Sequence, residues 1–211
     1  MNNYTEPHFA RSALITIDMQ NDFTLEDAPL RIPGTSEVVP NITRLLDHYR
    51  SRGLLIIHVV RLYLQDGSNV DLCRRQNIEQ GKKAVLPGTA GAELVQGLTQ
   101  DDAIRLDSNE LLAGNFQEIG SNEFVMYKPR WGAFYKTRLE QFLRDRGIDT
   151  LVFSGCNFPN CPRASIYEAS ERDFRIVLVS DAVSQLYPRG EDEMRNIGVS
   201  LLPTHLANES A

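Results

Sequence analysis

Five apolar runs recur along the chain, and each is too short and too continuous to be anything but a buried strand. They are "SALITID" (12–18), "LLIIHVV" (54–60), "EFVMYK" (123–128), "DTLVFSG" (149–155) and "FRIVLVSDA" (174–182). Runs of this kind, rich in Val, Ile and Leu without polar alternation, belong to sheets covered on both faces. Helical spacing separates them. In "SEVVPNITRLLDHYRSRG" the positions Val39, Ile42, Leu45, Leu46 and Tyr49 share one face, and Gly53 stops the helix. Further helices are predicted over 91–98, 133–147, 162–173 and 190–202, with a weak strand at 103–107. Residues 63 to 90 are polar and rich in Gly, Asn and Gln, and read as a long functional excursion. Strands alternating with helices predict an α/β fold, a mainly parallel six-stranded sheet between helical layers. No linker, repeat or low-complexity segment divides the chain, so 1–211 reads as a single domain.

Charge narrows the partners. The 28 acidic residues outnumber the 22 basic ones, giving a net charge of −6. That balance disfavours nucleic acid and anionic membrane, and favours a small-molecule ligand or another protein. The start, "MNNYTEPHFARS", is polar and lacks a signal-peptide pattern, and no apolar stretch is long enough to span a bilayer. Cys73, Cys156 and Cys161 are too few and too uneven for a secreted disulfide framework. The expectation is a cytoplasmic protein with reduced thiols.

Ligands of such sheets sit outside the C-terminal ends of the strands. The residues found there are Asp18, Arg61, Lys128, the loop "GCNFPNCP" and Asp181. There is no G-x-G-x-x-G, no G-x-x-x-x-G-K-[ST] and no G-x-S-x-G, so neither nucleotide binding nor a serine nucleophile is signalled. The two close cysteines are spaced C-x₄-C, not C-x-x-C, which weakens a redox reading. The histidines (His8, His48, His58, His205) are scattered without ligand spacing, and His58, inside a strand, reads as a satisfied core residue. Cys161 precedes Pro162, a residue favoured at a helix start, and so reads as a helix N-cap. Free amides and the helix dipole there would favour a thiolate. A small packed residue in a turn is the competing reading. Asp18 and Lys128 each close an apolar strand. Alone, the first is a turn cap and the second a snorkelling lysine. Together with Cys161 they supply a proton carrier, a cation and a nucleophile at one sheet edge.

At these residues the chain resembles the isochorismatase-like hydrolase superfamily, in its cysteine hydrolase branch. The matching pieces are "ALITIDMQNDF", "VLPGTAGAEL", "YKPRWGAFYKTRLEQFLRDRGIDTLVFSG" and "GCNFPNCPRASIYEASERDFRIVLVSDA". The resemblance implies a three-layer α/β/α, Rossmann-like fold and a homo-oligomer, dimer or tetramer. It implies a catalytic triad of Asp18, Lys128 and Cys161. It also implies a cis Cys156–Asn157 peptide, with an oxyanion hole made by the amides of Asn157 and Cys161.

Departures from the family refine this. The zinc-binding nicotinamidases it resembles carry Asp-X-His after the second strand, where this chain reads "HVVRLYLQDGSNVD". No metal and no cofactor are therefore expected. Cys161 favours hydrolysis of a C–N bond (amide, ureide or carbamoyl) through a thioester, with Asp18 as general base and acid and Lys128 as its electrostatic partner. A vinyl ether hydrolase of the isochorismatase type and a non-catalytic binding protein are the alternatives. Expected substrate-lining residues are Phe23, Arg61, Tyr63, Trp131 and Phe158. Arg61 is either a bidentate carboxylate ligand or a solvated arginine. Gln20 either bonds near Asp18 or caps the turn.

Overall fold

A computed structural model describes residues 3–210, with the backbone alone for Ser210. Seven strands form one sheet: β1 (Ser12–Ile17), β2 (Leu55–Val60), β3 (Phe116–Gly120), β4 (Glu123–Tyr127), β5 (Thr150–Gly155), β6 (Arg175–Val183) and β7 (Ser200–Leu202). Their order is β3-β4-β2-β1-β5-β6-β7, and only the β3–β4 pair is antiparallel. The helices are α1 (Asn21–Thr24), α2 (Thr35–Ser51), α3 (Leu72–Glu79), α4 (Ser108–Leu112), α5 (Leu139–Arg144), α6 (Cys161–Ser170), α7 (Pro188–Asn196) and α8 (Thr204–Ser210).

Alternation along the strands builds two cores. Leu14, Ile56, Val152 and Val177 pack with Ile42, Leu45, Leu46 and Tyr49 of α2 and Ala207 of α8. Ile15, Ile57, Phe153 and Leu178 pack on the opposite face with Leu139 and Leu143 of α5, Ile166 and Ala169 of α6 and Met194 of α7. The three-layer α/β/α architecture is that expected, with seven strands in place of six.

The differences have local causes. Residues 103–107 form no strand, because side chains satisfy their backbone: Asp101 accepts from Ala103 N, Glu93 from Leu106 N and Gln117 from Asp107 N. The sixth and seventh strands are instead β3, a half-buried edge strand, and β7. Gly198, at φ +81°, ends the run predicted as a helix to 202 and lets β7 form. The helix predicted at 133–147 is cut to α5, since turns occupy 130–138. The helix predicted at 91–98 is a single 3₁₀ turn, Ala90–Ala92, followed by a bridge from Leu94 to Gln20. The polar excursion carries α3.

The strand order reverses direction at β1. The chain runs from β1 out through β2 to β4, then crosses to β5 on the other side of β1. That reversal opens a crevice above the C-terminal ends of β1 and β5. Register aligns those ends: Ile17 pairs with Val59 and Gly155, and Val60 pairs with Tyr127. Asp18, Arg61, Lys128 and Cys156 are therefore the first residues past one common edge.

Candidate active site

Asp18 leaves β1 at φ +52°, in the left-handed region that aspartate tolerates better than bulkier residues. Its amide still donates to Val59 O, so the strand ladder holds the residue while its side chain turns over the sheet edge. Lys128 leaves β4 with its amide on Val60 O. Its Nζ donates to Asp18 Oδ2 at 2.8 Å, and both side chains are buried. The other carboxylate oxygen, Oδ1, is buried with no hydrogen-bond partner.

Cys161 is the third member, buried at 4% exposure. It is the first residue of α6, with Asn160 as N-cap and Pro162 next, which corrects the expected N-cap position by one residue. Ser165 ties the helix down: its hydroxyl donates to Cys161 O at 2.7 Å and accepts from Ala133 N at 3.1 Å. The thiol does not rest as the expected thiolate. Burial pushes it up to about 11, the Asp18 carboxylate adds to that, and Lys128 and Arg61 oppose it without prevailing. The arrangement is therefore a thiol beside a carboxylate that has an open oxygen, with an ammonium behind the carboxylate.

The loop between β5 and α6 approaches β1 closely. A Cβ on Gly155, whose φ is +112°, would lie 2.3 Å from Ile17 O, so only glycine fits there. The Cys156–Asn157 peptide is cis. The Asn157 side chain is held by Gln185 and Asn160. Among the described residues no carbonyl or side chain accepts from the amides of Asn157 or Cys161. Cys156 is a buried thiol pushed up to about 12 by desolvation, as a structural cysteine would be.

Four of the five expected lining residues come together and one does not. The Arg61 guanidinium lies 5.3 Å from the Trp131 ring centroid and 5.7 Å from that of Tyr63. The Phe23 ring packs beneath Arg74 at 6.0 Å, and Trp131 is half-buried. Phe158 is the correction. Its ring is fully buried in the core under α7, where it meets Tyr187 edge-on at 5.4 Å and fills the space that a Gly190 side chain would need. It packs the fold instead of walling the site.

Gln20 proves to be a clamp. Its Nε2 donates to Arg61 O and Ala92 O while its Oε1 accepts from Arg61 N, which locks the exit of β2 to that of β1. Arg61 is buried, not solvated, and its Nη2 donates to Asp71 Oδ2 at 2.8 Å. Asp71 and Arg74 were not anticipated. The only sequence signal was a charged stretch, "DLCRR", inside the polar excursion. His58 is satisfied by Thr16 and Glu123, as a core histidine. Among the described residues no group of three or more His, Cys, Asp or Glu side chains is arranged to hold a metal ion. No helix among them is long and apolar enough to cross a membrane.

Two surface hollows are informative by their walls. One of about 320 Å³ is lined by Trp131, Asn160, Arg163 and Tyr167, at the outer side of the Cys161 turn. A larger one, about 510 Å³, lies by Asn21, Thr89 and Arg105 and includes none of the three buried residues.

Comparison with known proteins agrees with this fold. A protein of Arabidopsis thaliana described as "Probable inactive nicotinamidase" is 34% identical over 92% of this chain and 93% of its own length. A ureidoacrylate amidohydrolase of Methylorubrum extorquens is 26% identical over 88% of this chain and 75% of its own. The crystal structure of an isochorismatase family protein from Desulfovibrio vulgaris superposes with a TM-score of 0.80 at 35% identity, covering 94% of this chain and 97% of that one. Residues 12–197 match the isochorismatase domain, and with the three-layer sheet and the buried Asp–Lys–Cys set at its edge, the chain belongs to the isochorismatase family of hydrolases.

Proposed function

We propose that the protein hydrolyses a C–N bond of a small amide, ureide or carbamoyl compound through a thioester on Cys161. The observation that carries this reading is the open Asp18 Oδ1 beside a buried thiol, with Lys128 fixed on Oδ2. Because the thiol rests protonated, the first step is a proton transfer. Asp18 takes the Cys161 proton as sulfur bonds to the substrate carbonyl carbon, and the carbonyl π electrons move to oxygen. The unpaired amides of Asn157 and Cys161 are the donors available to that oxyanion. Each such donor is worth ~10²–10³-fold in rate. The oxyanion collapses, the C–N bond breaks, and the amine leaves with the proton from Asp18. Asp18 then removes a proton from water, whose oxygen attacks the thioester. The sulfur departs and is reprotonated from Asp18. The ammonium of Lys128 faces Asp18 throughout and offsets the negative charge that passes between carboxylate and sulfur.

The test is ammonia release from a panel of small amides and carbamoyl compounds, with Cys161→Ala as control. Release that vanishes in the variant supports the reading. Release undiminished in the variant overturns the thioester and favours another nucleophile. No release from any compound favours vinyl ether chemistry, which frees no ammonia, or a binding role, and the description of the Arabidopsis relative gives weight to the second. A homo-oligomer, dimer or tetramer, and a cytoplasmic location complete the proposal. Light scattering of the purified chain and fractionation of cells check them.

A further inference from the structure

The cationic cluster beside Cys161 is larger than the proposed hydrolysis needs. Arg61 and Arg74 both lie over one ring: their guanidinium carbons are 5.3 and 5.0 Å from the Trp131 centroid. Two like charges held against one ring repel. A single carboxylate, Asp71, is bonded within the cluster. Its Oδ2 accepts from Arg61 Nη2 at 2.8 Å and from the Tyr63 hydroxyl at 3.0 Å. Among the described residues Arg74 reaches no carboxylate; its Nη1 donates to the Tyr63 hydroxyl at 2.9 Å. Lys128 is thus matched by Asp18 and Arg61 by Asp71, which leaves Arg74 as the cation in excess among these three.

That excess is built in. Arg61 is 1% exposed, its backbone clamped by Gln20, and its Nε is buried without a partner, as is Asp71 Oδ1. A buried guanidinium with an open edge is costly unless a planar anion meets it, and carboxylate fits that edge in bidentate fashion. Both arginines lie over Trp131, which walls one hollow together with Asn160, the residue before Cys161, so they lie on the side of the nucleophile.

We infer that Arg61 and Arg74 form an anion subsite beside Cys161, and that the substrate carries a carboxylate as well as the scissile amide. This rests on the proposed hydrolysis for the word substrate, but not for the subsite. Arg61 would take the carboxylate edge-on, Asp71 would hold Arg61 in position, and Arg74 would close over the anion from α3. Trp131 would supply a flat wall for a planar, conjugated acid. A neutral amide would leave the excess charge uncompensated, so Arg74 is the specificity-determining residue.

The experiment needs no knowledge of the substrate. Iodoacetate and iodoacetamide deliver the same carbon to sulfur, one with a carboxylate and one without. Their rates at Cys161 are measured by peptide mass spectrometry in a Cys73→Ser background, with N-acetylcysteine as the reference thiol. The ratio of iodoacetate to iodoacetamide rates is expected to exceed that of N-acetylcysteine by about tenfold or more, the size of one charge-assisted contact. Arg74→Met, on a half-buried helix position, should bring the ratio down towards the reference. Arg74→Lys should keep part of the preference. A ratio at or below the reference, or one unmoved by Arg74→Met, overturns the subsite. The ammonia screen fails or succeeds independently, so loss of the hydrolase reading and loss of the subsite are told apart.

Discussion

At Cys161 two influences compete, and burial wins. A helix start and two cations favour the thiolate, but 4% exposure and the Asp18 carboxylate hold the thiol near 11. The free protein should therefore lack the neutral-pH alkylation plateau of a pre-formed thiolate. With iodoacetamide, labelling of Cys161 should climb about tenfold per pH unit through pH 9 and level only near 11. A plateau with a midpoint at or below pH 7, read from the Cys161 peptide, would show a resting thiolate. The Asp18–Lys128 pair permits a second prediction. Both side chains are buried, so Lys128→Met strands a carboxylate in the core at a cost of about 3–5 kcal/mol. Adding Asp18→Asn removes that stranded charge. Urea unfolding should show the double variant regaining much of the stability, while ammonia release stays absent in both: the single variant lacks the ammonium that offsets the moving charge, and the double variant lacks the proton carrier as well.

Among the elements, those that carry the site were legible because each strand announces itself by a continuous apolar run, and each site residue follows directly on one. Asp18, Lys128 and Arg61 needed only the strand ends. Cys161 needed two more clues, the proline beside it and the family resemblance that chose it over Cys156. What stayed hidden lies where tertiary contacts override local pattern. Phe158 sits in the loop that leads to Cys161, yet its ring goes into the core because Gly190 leaves room for it. Asp71 and Arg74 lie in a polar stretch whose helix α3 buries only Ile78, so no apolar period marked it. The edge strands β3 and β7 are half-buried and lack the continuous run. Gly155 exerts its effect at this scale. Its φ of +112° and the 2.3 Å approach to Ile17 O mean that Gly155→Ala must push β5 away from β1. The loss should exceed about 2 kcal/mol in urea unfolding. Activity should fall further than in a control of equal instability elsewhere, since the loop that carries the proposed oxyanion donors begins at the next residue.

For the whole molecule, the sheet brings its reactive groups to one end, and a different charged network braces the middle of it. Glu123 opens β4, fully covered, and receives Arg50 from α2 at 2.7 Å and His58 from β2 at 2.9 Å. Gln100 is at 3.5 Å, and Thr16 on β1 holds the other side of the His58 ring. One carboxylate thus links α2, β2 and β4, and through His58 reaches β1. Burial works to raise the Glu123 carboxyl, but the bonds from His58 and Arg50 overcome it and hold it at about 2, against 4.5 for an ordinary glutamate. A folded-state value below the unfolded one stabilises the fold above pH 4.5, and that contribution drains away as pH falls from 4.5 towards 2. Wild-type urea midpoints should therefore drop steeply over this window. Glu123→Gln keeps the shape but not the titration, so it should start less stable at pH 6 and lose less on acidification. Parallel midpoints for the two proteins between pH 6 and 3 would assign the acid sensitivity to other carboxylates. Because the network stands in the body of the sheet and not at the C-terminal edge, the same substitution should leave the iodoacetate preference of Cys161 unchanged at neutral pH.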